Sequence, residues 1–337
     1  MNAVEVRGLV KDYPIHRGIG DVVRRPFDKP VQRVLDGVEF QLPLGQIIGI
    51  LGTNGAGKTT LLKIIAGLLS PTAGSVRVHD WDICGERRET QSAAAYCFAE
   101  DRSFYWRLTG RQNLEFFGAI NDCFGGREAG KLIERVTARL SIEDYLDRPF
   151  FQYSSGIRQR FSLARALMIE PRVLLLDEPT RSVDSVESEN LWRVIRDDLV
   201  RDGGVSVVLV THQTEEALEV CDRIAILDEG RLKVNIAPAD LRLAAAGALG
   251  LTLSVDGLRA GEVERLHRVR GVRDVKVSLR DGEQLLEVWG DEAELDLPDL
   301  VAATTAAGGR VHGLTRSVPV RVILDELLAK GEGVPLG

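Results

Sequence analysis

The sequence predicts an α/β fold with a largely parallel sheet, followed by a small α+β domain. Short β-branched runs alternate with amphipathic helical patterns up to about residue 236, as they do in α/β layer folds. After Pro238 the pattern changes to alternating strands and shorter helical stretches. A chain of 337 residues with 44% hydrophobic residues is long enough for two domains, which we place at 1–237 and 238–337.

The central strands of the predicted sheet are almost continuously apolar, as strands covered on both faces must be. They are QIIGIL at 46–51, RVLLLD at 172–177 and VSVVLVT at 205–211. Between about 86 and 165 helical spacing replaces the strand signal, for example at Leu132, Val136 and Leu140. We therefore expect a helical insertion over 86–165.

The C-terminal region has the β-α-β-β-α-β order of a ferredoxin-like split motif. Its predicted features are alternation at Leu251, Leu253 and Val255, alternation at Val275, Val277 and Leu279, a hairpin turn at Asp281-Gly282, and helices at 258–269, 298–307 and 320–330. We find no cluster of acids, bases or metal ligands in the sequence of this region. We therefore expect a regulatory or dimerisation role for it.

Composition and charge limit the function. A formal net charge of −7 argues against a general nucleic-acid binder, which needs a basic surface. The first residues do not resemble a secretory signal, and no apolar run approaches the roughly 18 to 20 residues that span a bilayer. The cysteines, at 84, 97, 123 and 221, are far apart and predict reduced thiols. We expect a cytoplasmic chain that reaches a membrane only through a partner.

A phosphate-binding loop, or P-loop, is predicted at GTNGAGKT, which follows an apolar strand and precedes the helical run KTTLLKIIAGLL. Its backbone N–H groups would surround the β-phosphate, Lys58 would reach the β- and γ-phosphates, and the Thr59 hydroxyl would bind Mg²⁺. The alternative is an ordinary glycine-rich turn. The predicted ATP-binding residues here are Gly52, Thr53, Asn54, Gly55, Ala56, Gly57, Lys58, Thr59 and Thr60.

Two carboxylates follow the strand RVLLLD, where ligands of α/β sheets bind. We predict that Asp177 holds Mg²⁺ and that Glu178 is the general base for the attacking water. A charged pair that merely caps the strand end is the alternative.

These motifs, in this order, resemble the ATP-binding subunits of ABC transporters over about residues 3–236. GTNGAGKT is similar to the family's Walker A motif, SSGIRQR at 154–160 to its signature LSGGQ-x-QR, and DEPTRSVD at 177–184 to its Walker B motif and D-loop. His212 matches the family's switch histidine, and the stretch 215–232 resembles the family's segment after that histidine. The resemblance implies a P-loop ABC ATPase cassette with a helical insertion, which uses ATP and Mg²⁺.

Further roles come from this resemblance. It implies that Tyr13 stacks on adenine, that His212 acts with Glu178, and that Asp184 lies at a dimer seam. It also implies that two copies face head to tail, so that Ser154, Ser155 and Gly156 close on the γ-phosphate held by the other copy. A helix start with a hydroxyl and a glycine suits an anion, whereas an ordinary Ser-capped helix is the alternative. Arg158 and Arg160 are expected on a solvated helix face.

The sequence departs from the family pattern in three places. Ser155 replaces the second signature glycine and Ile157 its glutamine, a form that resembles drug and polysaccharide exporters. The loop 15–30 is longer than in a minimal cassette, and its basic residues are either solvated or in contact with anionic lipid or the adenine rim. The Q-loop glutamine is missing; its place falls on Glu100, or on Ala99 if the loop is one residue longer.

We predict that Glu100 takes the glutamine's place as a third metal ligand, beside Thr59 and Asp177. The alternative is that Glu100 and Asp101 are solvated loop charges. The predicted function is an ATPase subunit that dimerises around two Mg-ATP and powers a separate membrane permease, most simply an exporter, from the cytoplasmic face of the membrane. The rival function is a soluble ABC-type switch that acts on a non-membrane partner.

Overall fold

A computed structural model describes residues 1–15, 31–53, 55–98, 103–120, 127–181, 183–244, 248–280 and 283–317. The predictions for the loop 16–30, Asn54, Glu100, the Asp281-Gly282 turn and the helix at 320–330 lie outside these residues. The chain divides into two compact units, of which the first comprises Met1–Asn235 and the second begins at Ile236.

The first unit contains an antiparallel sheet in the order β2-β1-β4-β5. Its strands are β1 (Asn2–Pro14), β2 (Val31–Pro43), β4 (Ala73–Val78) and β5 (Trp81–Asp82). One face of β1 is buried through Val4, Val6 and Leu9, which join the main hydrophobic core. This alternation is the expected pattern of a sheet with one covered face.

The second sheet of this unit has six strands in the order β10-β9-β3-β8-β7-β6. They are β3 (Ile47–Leu51), β6 (Ala94–Phe98), β7 (Val173–Asp177), β8 (Ser206–Val210), β9 (Arg223–Asp228) and β10 (Arg231–Ile236). The pairs β3·β8, β3·β9, β6·β7 and β7·β8 are parallel. The carboxyl ends of β3, β7 and β8 therefore meet at one edge, where α/β folds bind ligands.

Helices connect these strands. They are α1 (Lys58–Ile65), α2 (Arg87–Ala93), α3 (Gly110–Ile120), α4 (Arg127–Arg139), α5 (Ser155–Leu167), α6 (Ser185–Arg193), which continues as a π-helix over Val194–Arg201, and α7 (Thr214–Val220). In α1, Leu61, Leu62, Ile64 and Ile65 are buried in the core, which explains why this segment is helical and amphipathic.

The helical insertion begins later than the predicted residue 86. Residues Ala94–Phe98 form β6, which pairs in parallel with β7. Three consecutive alanines precede Tyr96 and favour a helix by their propensity, so the strand could not be predicted from the sequence. Pairing with β7 outweighs this helical propensity. Within the insertion Leu132, Val136 and Leu140 are buried, as predicted.

The second unit has a four-stranded sheet in the order β12-β13-β11-β14, with every neighbouring pair antiparallel. Its elements are α8 (Pro238–Ala244), β11 (Ala248–Asp256), α9 (Val263–Leu266), β12 (Val272–Arg280), β13 (Glu283–Asp291), α10 (Leu297–Ala306) and β14 (Arg310–Ser317). This is the strand order of a ferredoxin-like fold. The helix predicted at 258–269 is shorter, and Val277, on an edge strand, is 36% exposed.

No helix among the described residues combines the length and apolar character needed to cross a bilayer. Cys84, Cys97 and Cys221 carry reduced thiols, and Cys123 lies outside the described residues.

Candidate functional site

The loop between β3 and α1 depends on two glycines. Gly57 caps α1 with φ 104°, and a Cβ there would lie 2.8 Å from the Val34 carbonyl oxygen. A Cβ at Gly52 would lie 2.1 Å from the Leu227 carbonyl oxygen. Since both contacts are to backbone atoms, larger residues would displace the loop from the sheet.

Lys58 is folded back onto this loop. Its Nζ donates to the carbonyl oxygens of Gly52 at 2.7 Å and Thr53 at 2.9 Å. The side chain is 7% exposed. Burial lowers the pKa of Lys58, while the negative charges of Glu178 and Asp177 oppose this shift. An anion that reaches Lys58 would exchange the two carbonyl contacts for a charge-assisted bond.

Asp177 ends β7 beside the start of α1. Its Oδ2 accepts hydrogen bonds from the Thr59 hydroxyl at 3.1 Å and from the Tyr96 hydroxyl at 2.7 Å. Burial, reinforced by the bond to Asp177, raises the pKa of Tyr96. The phenol therefore stays protonated and remains a donor to Asp177.

Glu178 contacts two basic side chains. Its Oε1 lies 3.1 Å from His212 Nδ1, and its Oε2 lies 3.4 Å from Arg181 Nη1. The backbone at Glu178 is left-handed, with φ 50°, although Pro179 follows. A bond from Glu178 N to the Val210 carbonyl at 2.8 Å holds this conformation. This bond therefore fixes the backbone position from which the Glu178 side chain extends at the edge of the sheet.

These residues surround one open cavity of about 270 Å³. Its lining consists of Val34, Gly55, Gly57, Lys58, Thr59, Thr60, Asp177, Glu178 and Val210. Five of the predicted P-loop residues and both predicted carboxylates thus line the same cavity. Ala56 is buried behind the loop, with its N–H bonded to the Thr53 carbonyl. Tyr13 is half-buried on β1, opposite Gln32 of β2, and is not among the described lining residues.

The donor set at this cavity fits Mg²⁺. Thr59 and Asp177 supply oxygen ligands 3.1 Å apart, and Mg²⁺ usually takes one or two protein oxygens together with phosphate oxygens and water. Within the described residues no three His, Cys, Asp or Glu side chains form a metal site of their own. Thr59 and Asp177 would therefore hold the ion together with phosphate oxygens and water.

The predicted signature residues lie at the start of α5. Ser154 caps the helix by accepting a bond from the Ile157 N–H at 3.3 Å, and the side chains of Ser154 and Ser155 are exposed. Gly156 is buried, and a Cβ there would lie 3.4 Å from Glu187 Oε2. None of the three is among the described residues that line the cavity.

Two arginines of α5 are less solvated than the sequence suggested. Arg160 is 11% exposed and pairs with Glu187 at 2.9 Å, and it also donates to the Leu140 carbonyl. The guanidinium of Arg158 lies over the Trp106 ring at 4.6 Å. Both side chains pack against the helical insertion, because tertiary contacts cover this face of α5.

Asp184 is the N-cap of α6, where its Oδ1 accepts from the Glu187 N–H at 2.9 Å. The side chain is exposed. The capping bond accounts for the aspartate locally and leaves its second oxygen at the surface.

Sequence reasoning missed three residues around the site. Tyr96 contacts Asp177, and Arg181 contacts Glu178. Glu216 binds Thr180 and Thr211, which lie in the loops after β7 and β8. Of these three, only Arg181 could have been found from the sequence. It lies three residues after Glu178, and on a turn its side chain can reach the Glu178 carboxylate.

Comparison with known proteins agrees with this geometry. Residues 35–181 match the model of the ABC transporter family. The chain is 33% identical over 276 residues to the daunorubicin resistance ATP-binding protein DrrA3 of Streptomyces coeruleorubidus, covering 78% of this chain and 86% of that protein. It is also 33% identical over 213 residues to the ABC transporter ATP-binding protein NatA of Bacillus subtilis, covering 63% of this chain and 85% of NatA.

Longer relatives also match. ABC transporter A family member 4 of Arabidopsis thaliana is 31% identical over 269 residues, which cover 79% of this chain. The chain spans only 28% of that relative's length.

One similar solved structure is a dimeric ATP-binding cassette in a post-hydrolysis state, bound to ADP and Pi. Its TM-score is 0.57 at 25% sequence identity, and the match covers 70% of this chain and 98% of that chain. The cassette cbiO1 from Clostridium perfringens shares the fold with a TM-score of 0.61, 24% identity and coverage of 72% and 91%. The DrrA3 match, which covers most of both proteins, shows the family. The chain therefore belongs to the ABC transporter family, as an ATP-binding cassette.

Proposed function

We propose that this cassette hydrolyses ATP between two copies of itself and that the cycle drives a membrane permease. The observation that carries the proposal is the bond between His212 and Glu178, because Glu178 lines the same cavity as Lys58, Thr59 and Asp177. This arrangement supports the proposal, because phosphoryl transfer to water requires a group that orients the water and groups that stabilise the phosphate charge.

Each residue of the cavity has a separate part in the reaction. The oxygen of a water molecule attacks the γ-phosphorus while Glu178 accepts a proton from that water. The bond between the γ-phosphorus and the β,γ-bridging oxygen breaks, which gives ADP and phosphate. Lys58 and the N–H groups of the loop stabilise the charge on the phosphate oxygens. His212 keeps the Glu178 carboxylate oriented and donates to the γ-phosphate. Thr59 and Asp177 would hold Mg²⁺, which neutralises phosphate charge when bound.

The second half of each site comes from the partner copy. Ser154, Ser155 and Gly156 lie outside the cavity of their own chain, at a helix start whose N–H groups and dipole favour an anion. A two-fold axis would bring this helix onto the partner's γ-phosphate, with Asp184 at the seam. The solved relative with ADP and Pi is a dimer, which supports this arrangement. Tyr13 would stack on the adenine beyond Val34.

A surface on the helical insertion supports a permease partner. We call Tyr105, Trp106 and Phe151 the aromatic surface; they are 49%, 49% and 54% exposed, and a backbone bond from Phe151 N to the Trp106 carbonyl joins their loops. Exposed aromatic groups of this kind mark interaction sites. The name of DrrA3, a resistance protein, favours export as the direction of transport. The cassette would then act as a peripheral protein on the cytoplasmic face.

The dimer is tested with a variant that binds ATP without turning it over. Glu178→Gln should form a stable dimer with ATP, because the amide cannot accept the proton of water. Adding Gly156→Asp should abolish that dimer, since a carboxylate would face the partner's γ-phosphate, whereas Gly156→Asn has similar volume and no charge. Size-exclusion chromatography with light scattering measures the outcome.

Thermal melting of each monomer controls for damage, because a side chain at Gly156 also meets Glu187. If Gly156→Asp and Gly156→Asn weaken the dimer equally, charge at the shared site is not the cause. If the Asp variant dimerises as the parent does, the head-to-tail arrangement is wrong.

A further inference from the structure

The Glu178 carboxylate is held from both sides, and one of its two partners has no role in the hydrolysis proposed above. His212 Nδ1 approaches Oε1 at 3.1 Å, and Arg181 Nη1 approaches Oε2 at 3.4 Å. The guanidinium of Arg181 therefore pairs with the carboxylate oxygen that His212 does not contact.

The backbone brings Arg181 back to Glu178. Residues 178–181 form a turn in which the Arg181 N–H donates to the Glu178 carbonyl at 3.3 Å. With φ 50° at Glu178, the carboxylate and the guanidinium emerge on the same side of this turn. The arginine side chain is 61% exposed and the glutamate side chain 19%. An exposed pair of this kind adds little to global stability, so its effect is local.

Lys58 is the competing cation for this carboxylate. Lys58 and Glu178 line the same cavity, so their opposite charges face one space. Lys58 must be free to bind phosphate, and a carboxylate that rotated toward it would remove the base and the phosphate ligand together. A second cation at Oε2, such as Arg181, would oppose that rotation.

We propose that Arg181 is a positioning residue for hydrolysis: it anchors Oε2 of Glu178, which keeps Oε1 at His212 and leaves Lys58 to the nucleotide. The inference rests on the proposed role of Glu178 as general base. Arg181 acts through Glu178 and does not itself contact ATP, so its removal affects turnover and not affinity.

The first test separates kcat from binding in the full chain. Arg181→Ala should lower kcat for ATP hydrolysis about tenfold, since misplacement of a catalytic group by about 1 Å can cost up to a hundredfold. KM and the Kd of a non-hydrolysable ATP analogue should stay within about twofold. Arg181→Lys keeps a charge near Oε2 and should recover most of the loss. The matched control is Arg201→Ala, which removes an arginine 68% exposed in a surface pair with Asp197 and should change nothing.

A double-mutant cycle identifies the route of the effect. In the Glu178→Gln background, Arg181→Ala should not lower the residual turnover further, because the anchored carboxylate is already gone. An equal loss in both backgrounds would overturn the inference, as would a rise in kcat or a change confined to KM. The proposed function fails separately, if Glu178→Gln alone turns over like the parent.

Discussion

Asp177 shows how one oxygen atom organises the metal side of the cavity. Its Oδ2 accepts from both Thr59 and Tyr96, so the carboxylate plane is fixed by two donors from different elements. The same oxygen lies beside the Thr59 hydroxyl, the other oxygen that would bind Mg²⁺. Because burial keeps the Tyr96 hydroxyl protonated, this orientation does not change over the ordinary pH range.

We predict that Tyr96→Phe weakens the binding of Mg²⁺ with nucleotide without unfolding the chain. Loss of one hydrogen bond of about 1 kcal/mol should raise the Mg²⁺ concentration for half-maximal ATP-analogue binding roughly fivefold. Fluorescence titration of the analogue against Mg²⁺ measures this shift. Tyr105→Phe, at an exposed phenol of the aromatic surface, is the control. An unchanged Mg²⁺ midpoint in Tyr96→Phe would show that Asp177 is oriented by Thr59 alone.

At the scale of elements, α7 links the loop that contains Glu178 to the loop that contains His212. Glu216 Oε1 accepts from Trp192 Nε1 at 2.6 Å and from the Thr180 hydroxyl, and its Oε2 accepts from the Thr211 hydroxyl at 3.0 Å. Thr180 and Thr211 are nearly fully buried. One carboxylate on α7 therefore satisfies donors from α6 and from the loops after β7 and β8.

Glu216→Ala should destabilise the first unit and lower turnover. It leaves buried donors unpaired, and each costs about 1–3 kcal/mol, so a loss of several degrees in melting temperature is expected. Glu219→Ala, at an exposed position on the same helix, should have no effect on either quantity. Differential scanning calorimetry and an ATPase assay measure the two effects. If the melting temperature of Glu216→Ala equals that of the parent, these hydrogen bonds do not support the site.

At the scale of the whole molecule, the two units have separate hydrophobic cores. One core contains residues of both sheets of the first unit and of α1. The other contains Leu251, Leu253, Leu286 and Val288 of the ferredoxin-like sheet. Every predicted site residue within the described part of the chain belongs to the first unit. The second unit therefore has its own hydrophobic core and none of the predicted site residues. This suits the regulatory or dimer-bracing role that we propose for it.

Recovery of the chain in membranes should depend on the permease. Expressed alone, the chain should stay in the supernatant after membranes are sedimented; co-expressed with a membrane protein encoded beside it, the chain should sediment with them. Replacing Trp106 by Ser on the aromatic surface should reduce the sedimented fraction, whereas Val186→Ser, at an apolar residue 66% exposed on α6, should not. Sedimentation with the membranes in the absence of any partner would contradict this model.

The sequence by itself determined the elements whose chemistry is local. The P-loop and the Asp177–Glu178 pair were predictable because a strand, a turn and a helix of fixed order position them within a few residues. The cap at Ser154 came from the same local reasoning. Tertiary structure decided the rest. Tyr96 reaches Asp177 across 81 residues of sequence only because β6 pairs with β7, and alanine-rich β6 is itself hidden by its helical propensity. Likewise, the burial of Arg160 and the carboxylate of Glu216 depend on contacts between distant elements, which no local pattern encodes.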